Sequence, residues 1–433
     1  ATIADTSSPT TGVTVAAGDT VTLRWTISNG SCTDSTDDVV LTNDALPTTA
    51  AAGTDQTQCN TPGFTMAANT PTVGTGIWSI VSGTATIADT SSPTTGVTVA
   101  AGDTVTLRWT ISNGSCTDST DDVVLTNDAL PTTAAAGTDQ TQCNTSGFTM
   151  AANTPTVGTG IWSIVSGTAT IADTSSPTTG VTVAAGDTVT LRWTISNGSC
   201  TDSTDDVVLT NDALPTTAAA GTDQTQCNTS SFTMAANTPT VGTGIWSIVS
   251  GAATIADTSS PTTGVTVAAG DTVTLRWTIS NGSCTDSTDD VVLTNDALPT
   301  TAAAGTDQTQ CNTPGFTMAA NTPTVGTGIW SIVSGTATIA DTSSPTTGVT
   351  VAAGDTVTLR WTISNGSCTD STDDVVLTND ALPTTAAAGT DQTQCNTPGF
   401  TMAANTPTVG TGIWSIVSGT ATIADTSSPT TGV

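Results

Sequence analysis

Cysteine is the residue type with the clearest potential for covalent chemistry in this chain. The 433 residues include ten cysteines and no histidine. Without histidine, a zinc site or a cysteine nucleophile lacks its commonest partner. No Cys-x-x-Cys redox motif is present. Cysteines of this kind in a polar chain indicate disulfide bonds and therefore an oxidising compartment.

The cysteines recur with the sequence itself, which repeats almost unchanged with a period of about 84 residues. If each repeat begins at the proline after Asn-Asp-Ala-Leu, as at Pro47, every complete repeat holds two cysteines. We predict a bond within each repeat, worth about 4 kcal/mol for a loop of this size. The alternative, Cys32 with Cys59, would cross the boundary and tie neighbouring repeats. The predicted pairs are Cys59–Cys116, Cys143–Cys200, Cys227–Cys284 and Cys311–Cys368, with Cys32 and Cys395 bonded to partners outside this sequence.

The acidic residues are all aspartate, and several of them fall close to where one repeat meets the next. The net charge is −31, with one arginine in each period. Carboxylate oxygens are ligands that Ca²⁺ prefers, and a cation bound at a junction would stiffen it. No Asp-x-Asp-x-Asp-Gly loop is present, so a solvated acidic surface is the alternative. The possible calcium ligands are Asp118, Asp121, Asp122, Asp128 and Asp139.

Composition excludes several classes of function. The chain has no lysine to neutralise phosphate, which argues against nucleic acid and anionic membrane surfaces as partners. No apolar run approaches the roughly 20 residues of a membrane-spanning helix. Histidine, glutamate and lysine are all absent, so general acid–base and nucleophilic catalysis lack their usual groups. We predict no enzymatic activity and, calcium apart, no cofactor.

Hydrophobic alternation predicts strands throughout, with turn signals about every 8–12 residues. Thr104 to Ser112 alternates most clearly, and Asn113-Gly114 then predicts a hairpin turn. A short edge strand is predicted over Thr48–Ala52, and the return strand over about Cys116–Thr126. About seven strands in each repeat predict an all-β chain, a tandem array of immunoglobulin-like antiparallel β-sandwiches. The predicted core is Phe64, Met66, Trp78, Ile80, Ile87, Val97, Val99, Val105, Leu107, Trp109, Ile111 and Val124.

The period and the prolines also predict the domain boundaries. Because the pattern starts and stops within a repeat, we expect this sequence to be one stretch of a longer protein. The predicted domains are a partial repeat at 1–46, complete repeats at 47–130, 131–214, 215–298 and 299–382, and a second partial repeat at 383–433.

Four motifs in each repeat carry a resemblance to a known family. They are Ala-Gly-Thr-Asp-Gln-Thr-Gln-Cys (52–59), Gly-Thr-Gly-Ile-Trp-Ser (74–79), Arg-Trp-Thr-Ile-Ser-Asn-Gly-Ser-Cys (108–116) and Asp-Asp-Val (121–123). Together they resemble the tandem Ig-like and PKD-like repeats of large secreted surface proteins of Bacteroidota. The resemblance covers the whole chain and implies an extracellular, adhesin-like or filamentous protein at a bacterial cell surface. The near-identity of the copies departs from the usual drift of such repeats.

Short Asp-Ser/Thr triplets resemble the O-glycosylation signal of the same bacteria. A three-residue pattern is weak in a chain so rich in threonine, and plain surface hydroxyls are an equal alternative. The possible acceptors are Thr20, Thr104, Thr188, Thr272 and Thr356, together with Ser35, Ser119, Ser203, Ser287 and Ser371.

Three functions remain open at this point. The first is a structural segment of a long surface filament or adhesin stalk, whose partners are neighbouring repeats or identical chains in a fibre. The second is multivalent binding of surface glycans, matrix or other cells through many equal weak sites. The third is a filament subunit that polymerises by strand complementation between its terminal half-domains.

Overall fold

The computed structural model describes residues 1–433 and contains 32 β-strands. It contains no helix that could span a membrane. The chain divides into two compact bodies, residues 1–214 with 282–284 and residues 215–281 with 285–433. Each body is described by itself.

The first body contains one partial and two complete repeats. The partial repeat forms β1 (Thr2–Ile3), β2 (Val13–Thr14), β3 (Asp19–Ile27) and β4 (Ser35–Asn43). Residues 47–130 form β5 (Gln56–Cys59), β6 (Gly63–Thr65), β7 (Thr75–Ser82), β8 (Thr86–Ile87), β9 (Gly96–Thr98), β10 (Asp103–Ser112) and β11 (Ser119–Asp128). Residues 131–214 form β12 (Gln140–Cys143), β13 (Gly147–Thr149), β14 (Thr159–Ser166), β15 (Thr170–Ile171), β16 (Gly180–Thr182), β17 (Asp187–Ser196) and β18 (Ser203–Asp212).

The second body repeats the same order of elements. Its strands in 215–298 are β19 (Gln224–Cys227), β20 (Ser231–Thr233), β21 (Thr243–Ser250), β22 (Thr254–Ile255), β23 (Gly264–Thr266), β24 (Thr272–Ser280) and β25 (Ser287–Asp296). In 299–382 they are β26 (Gln308–Cys311), β27 (Gly315–Thr317), β28 (Thr327–Ser334), β29 (Thr338–Ile339), β30 (Gly348–Thr350), β31 (Asp355–Ser364) and β32 (Ser371–Asp380). Residues 383–433 contain one isolated bridge, Thr401 to Gly432.

Each complete repeat folds into two small sheets around one hydrophobic core. In residues 47–130 the larger sheet has the order β5-β11-β10-β7 and the smaller has the order β6-β9-β8. Every neighbouring pair is antiparallel except β5 and β11, which run parallel. The other three complete repeats share this order. Seven strands in two sheets around one core make an immunoglobulin-like sandwich, so the predicted fold class is confirmed.

Strand β10 provides the centre of the core because its side chains alternate strictly. Val105, Leu107, Trp109 and Ile111 are all 0% exposed. The threonines and arginine between them face outward, as the two-residue period of a strand requires. The Trp78 indole lies 5.0 Å from that of Trp109, measured between ring centroids. The alternation alone therefore predicted the principal core strand correctly.

Two members of the predicted core are wrong. Val124 lies between two buried residues, Val123 and Leu125, which stand directly opposite Leu107 and Val105 of β10 and so share their face. Ile80 is 43% exposed. The pairing of β7 with β10 shifts register beside Ile80, and such an irregularity re-aims the side chains around it.

The predicted edge strand at Thr48–Ala52 is also wrong. This segment forms no ladder. Side chains of β11 hold it instead: the Ala50 amide donates to the Ser119 hydroxyl at 2.9 Å, and the Ala52 amide donates to the Asp121 carboxylate at 2.7 Å. The strand that does join the sheet edge is β5, a few residues later.

The two partial repeats present surfaces that the complete repeats bury. On the hairpin of β3 and β4, Trp25 is 43% exposed and Ile27 is 61% exposed. Their counterparts Trp109 and Ile111 are fully buried. Residues 383–433 keep the loop contacts of a complete repeat, such as the Met402 amide donating to the Thr431 carbonyl at 2.8 Å.

Alanine at Gly76 and its copies should destabilise each sandwich. A Cβ at Gly76 would overlap the Trp109 indole, which packs directly on the glycine. We expect a loss of about 1–3 kcal/mol of unfolding free energy per repeat, measured by urea denaturation with tryptophan fluorescence. The variant carries G76A, G160A, G244A and G328A.

Serine at Gly63, Gly147 and Gly315 is the matched control for this variant. A Cβ at these positions meets nothing within 4 Å, and the chain already carries Ser231 at the same place in another repeat. An equal loss of stability in both variants would contradict the packing argument.

Candidate functional site at the repeat junctions

Disulfide bonds join consecutive repeats rather than closing loops within them. The three bonded pairs are each separated by 141 residues, which is more than one period, and their Cα atoms lie 4.9–5.0 Å apart. That spacing suits a disulfide. The predicted pairing within repeats is therefore wrong, and so is the alternative of Cys32 with Cys59. The observed bonds are Cys59–Cys200, Cys143–Cys284 and Cys227–Cys368.

The parallel pairing of β5 with β11 explains the error. Cys59 stands opposite Asp128, the last residue of β11, whereas Cys116 lies before the first residue of that strand. A ten-residue strand is about 30 Å long. Two bonded cysteines must bring their Cα atoms within about 7 Å. A bond from Cys59 to Cys116 is excluded by this geometry.

Four cysteines remain as free thiols. Cys32, Cys311 and Cys395 are exposed and Cys116 is half-buried. Cys116 and Cys311 were predicted to be bonded and are not. For each free cysteine, the partner at a sequence separation of 141 would fall outside this sequence. The pairing rule is thus uniform along the described chain.

A turn of one repeat forms hydrogen bonds to the last residues of the repeat before it. The Ser115 amide and hydroxyl donate to the Asp44 carboxylate at 2.7 and 3.0 Å. The Asn113 side-chain amide donates to the Ala45 carbonyl at 2.7 Å. We call this arrangement the aspartate clamp. It holds the turn that carries Cys116 against the last residues of the preceding repeat.

The same clamp recurs at three further junctions. The amide-to-carboxylate distance is 2.6 Å at every one of them. The clamp is therefore a property of the period and not of one site. The pairs are Asp128 with Ser199, Asp212 with Ser283 and Asp296 with Ser367.

Glycine in the turn makes the clamp possible. Gly114 has a φ of 54°, in the left-handed region. A Cβ on Gly114 would overlap the Asp44 carboxylate. The Asn-Gly pair predicted as a hairpin turn therefore has a second role, which is to leave room for an acid from the neighbouring repeat. Nothing in its spacing indicated that contact.

Each clamp favours the ionised aspartate. The Ser115 amide, followed by its hydroxyl, holds the pKa of the Asp44 carboxyl below its ordinary value. Ser199 and Ser367 lower the pKa of Asp128 and Asp296 in the same way. A pKa that is lower in the folded state contributes stability above the ordinary aspartate pKa. That contribution is lost as the pH falls through the lowered value.

The aspartates predicted as calcium ligands are engaged separately. Asp121 accepts the Ala52 amide, Asp122 pairs with Arg108, and Asp128 belongs to a clamp. Asp139 accepts the Val208 amide at 2.9 Å, and Asp118 is exposed. No group of three or more acidic or cysteine side chains is arranged to hold a metal ion. The geometry does not support a calcium site.

The hydroxyls proposed for glycosylation divide into two kinds. Thr104 is exposed and shares a hydrogen bond with Thr126 across the hairpin at 3.3 Å. Ser119 is half-buried and accepts the Ala50 amide, and its copies Ser203, Ser287 and Ser371 do the same for Ala134, Ala218 and Ala302. These serines have a structural role, whereas the Thr104 side chain is more exposed to solvent.

The remaining polar features of each repeat are structural. Arg108 and Asp122 form a two-pronged ion pair across the sheet surface, at 2.6 and 2.8 Å. The Trp78 indole donates to the Ser92 carbonyl at 3.1 Å. The buried Trp109 indole nitrogen has no hydrogen-bond partner. Both tryptophans are buried, so neither offers a face for sugar stacking.

The fold and the junctions define a class of protein, a tandem array of immunoglobulin-like sandwiches with covalently linked neighbours. No family model matches the sequence, and no curated protein matches it.

Several solved structures are similar to the chain. One is the N-terminal eight Ig domains of Down Syndrome Cell Adhesion Molecule, at 11% identity and TM-score 0.38, over 85% of this chain and 54% of that one. This chain thus spans about half of that structure's length. Sidekick-1 immunoglobulin domains 1–5 match at 11% identity and TM-score 0.30, over 80% and 84%. The insect immune protein hemolin matches at 11% and 0.25, over 77% and 100%.

Tryptic digestion should separate the chain into two disulfide-linked products. Each of the five tryptic peptides after Arg24 carries two cysteines. Free thiols are first blocked in denaturant without reductant, so that the disulfide bonds do not exchange. Bonds between consecutive repeats then link alternate tryptic peptides. The expected products are 25–108 with 193–276 and 361–433, and 109–192 with 277–360.

Intact-mass spectrometry is the measurement for this digest. Ordinary peptide mapping is ambiguous because the copies are nearly identical. A single product containing all five peptides would show bonds within repeats and contradict the observed pairing. Reduction should release five separate peptides in either case, which serves as the control.

The clamp should weaken in acid. Because the Asp44 pKa is lowered in the folded state, we expect the Ser115 amide proton to titrate with a midpoint below the ordinary aspartate value of about 3.9. The measurement is the NMR chemical shift of Ser115 and its copies between pH 7 and pH 2. A midpoint at or above the ordinary value would argue against the clamp.

Removing the clamp acid should expose the same amide at neutral pH. We expect several-fold faster hydrogen exchange at Ser115 and its copies when Asp44, Asp128, Asp212 and Asp296 are replaced by alanine. Alanine at the exposed Asp118, Asp202, Asp286 and Asp370 is the matched control and should leave that exchange unchanged.

Proposed function

We propose that the chain is a structural segment of a long extracellular filament or adhesin stalk on a bacterial surface. Its function is to supply length and mechanical continuity, and it has no catalytic role. Neighbouring repeats, or identical chains in a fibre, are its partners.

The junction carries this proposal. At four junctions the aspartate clamp joins consecutive repeats by hydrogen bonds, and at three of them a bridge adds a covalent bond. A chain selected for one binding site needs no such device at each boundary. A chain that transmits tension or maintains an extended form needs it at all of them.

Chemistry and resemblance support the proposed location. Disulfides of this number persist in oxidising surroundings outside the cytosol. The motifs at 52–59, 74–79, 108–116 and 121–123 support a bacterial, Bacteroidota-type surface protein. Multivalent glycan or matrix binding remains the alternative function, but the tryptophans of the complete repeats are buried, which removes its most obvious platform there.

Strand complementation is a second candidate function, and it would act at the surfaces of the two partial repeats. The hairpin of β3 and β4 exposes Trp25 and Ile27. Residues 383–433 form a cleft of about 270 Å³ lined by Ala386, Ala388 and Trp414. The counterparts of these residues are packed together inside each complete repeat. A neighbouring chain would bury both surfaces by supplying the missing strands, as would further repeats of the same chain.

Antibodies raised against one repeat test the principal proposal. Immunogold labelling of producing cells should place the label along fibres that project from the surface, and intact cells should lose it on brief protease treatment. Label confined to the cytosol would overturn the proposal. An antibody against a cytosolic protein of the same cells is the control.

The mass of the natural chain distinguishes the two candidates. Surface material dissolved in denaturant with reductant should contain a chain far larger than 42.7 kDa if the repeats form one continuous filament. A chain near 42.7 kDa would favour subunits joined by complementation.

A further inference from the structure

The three bridges overlap along the chain, and this has a mechanical result. Each bridge spans 141 residues, so the next one begins before it ends. Cys200, where the first bridge arrives, lies less than half a repeat before Cys227, where the third departs. The backbone between those two cysteines therefore connects one bridge directly to the other.

We infer that the bridges form an extension limiter, a short covalent path that fixes the maximum length of the array even when its sandwiches unfold. The path runs from Cys59 across the bond to Cys200, along the backbone to Cys227, and across the bond to Cys368. It deepens the proposed load-bearing role and depends on that role for its biological purpose.

The length of this path follows from chain geometry. Fully extended backbone spans at most about 3.5 Å per residue, so the roughly 27 residues from Cys200 to Cys227 reach about 95 Å. Each bridge adds only the 5.0 or 4.9 Å between its Cα atoms. Cys59 and Cys368 can therefore separate by about 105 Å at most. Without the bridges, the roughly 309 residues between them would reach about 1,080 Å.

The path also decides which parts of the fold experience tension. Residues 60–199 and 228–367 lie in loops that the bridges bypass, and these loops contain the tryptophan cores of Trp78, Trp109, Trp246 and Trp277. Once the path is taut, unfolding those sandwiches adds no length. The loaded segment contains β18, the junction at Pro215 and β19.

The uniform spacing of the bonded cysteines produces two interlaced paths. The path crosses the bond from Cys59 to Cys200 and then follows the backbone to Cys227. Cys227 is the equivalent of Cys59 two periods later. Cys143–Cys284 belongs to the second path, which runs through the alternate repeats. It is therefore not part of the shortest route between Cys59 and Cys368.

Single-molecule stretching of the full chain, held at its termini and with free thiols blocked, tests the limiter. The oxidised chain should reach a final contour length of about 530 Å, because only roughly 150 residues lie on the shortest path. After reduction the same chain should reach about 1,500 Å. The expected ratio is close to threefold.

Two double variants separate the path from the mere number of bonds. C143S with C284S removes a bond that is off the shortest route, so the oxidised length should stay at about 530 Å. C59S with C200S removes a bond on the route, and the length should rise to about 920 Å because roughly 264 residues then lie on the shortest path. Each variant loses one bond and gains two serines, so each is the control for the other.

Several results would overturn the limiter. An oxidised length of about 710 Å would indicate bonds within repeats, since roughly 204 residues would then lie on the path. An increase on removing Cys143–Cys284, or no increase on reduction, would also refute it. The stretched length depends only on covalent connectivity, whereas the filament role is tested by labelling at the cell surface. Either proposal can therefore fail while the other stands.

Discussion

One strand pairing determines the rest of this structure, the parallel alignment of β5 with β11. Because β5 runs parallel to β11, the last strand of the repeat, both strands finish on the same side of the sandwich, next to the following repeat. Cys59 is thereby carried to the boundary with the following repeat and away from the cysteine in its own hairpin turn. Had β5 run antiparallel, the cysteine would have lain at the other end of the sheet, and the covalent link between repeats would not form.

The aspartate clamp and the bridge lie side by side at three boundaries. The turn that holds Ser115 in the clamp also carries Cys116, and the copies of that turn carry the cysteines that form bridges. Polar contacts at an exposed boundary are individually weak and compete with water. A bond that keeps the turn close raises its effective concentration at the aspartate, so weak contacts can persist there.

The sequence predicted the elements whose evidence is local. Strict alternation from Val105 to Ile111 identified the core strand and its inward face, and Asn113-Gly114 identified the turn. The errors arose where two distant segments had to be matched. Val123 and Leu125 take the core positions because of their register with β10, and two adjacent valines give no local sign of which one faces inward.

The cysteine pairing was predicted wrongly for a related reason. A bond within a repeat and a bond to the next repeat would join the same two sequence motifs. Only the direction of β5 distinguishes them, and a four-residue strand of Gln, Thr, Gln and Cys carries no signal for parallel pairing. The clamp was missed likewise, since Asp44 and Ser115 lie 71 residues apart.

The overlap of the bridged loops gives the chain tolerance to broken peptide bonds. Every position between Cys59 and Cys368 lies inside at least one loop, and positions from Cys143 to Cys200 or from Cys227 to Cys284 lie inside two. Hydrolysis of any single peptide bond in this region leaves both fragments joined by a disulfide. The chain can therefore be cut there once by a protease and still remain one molecule.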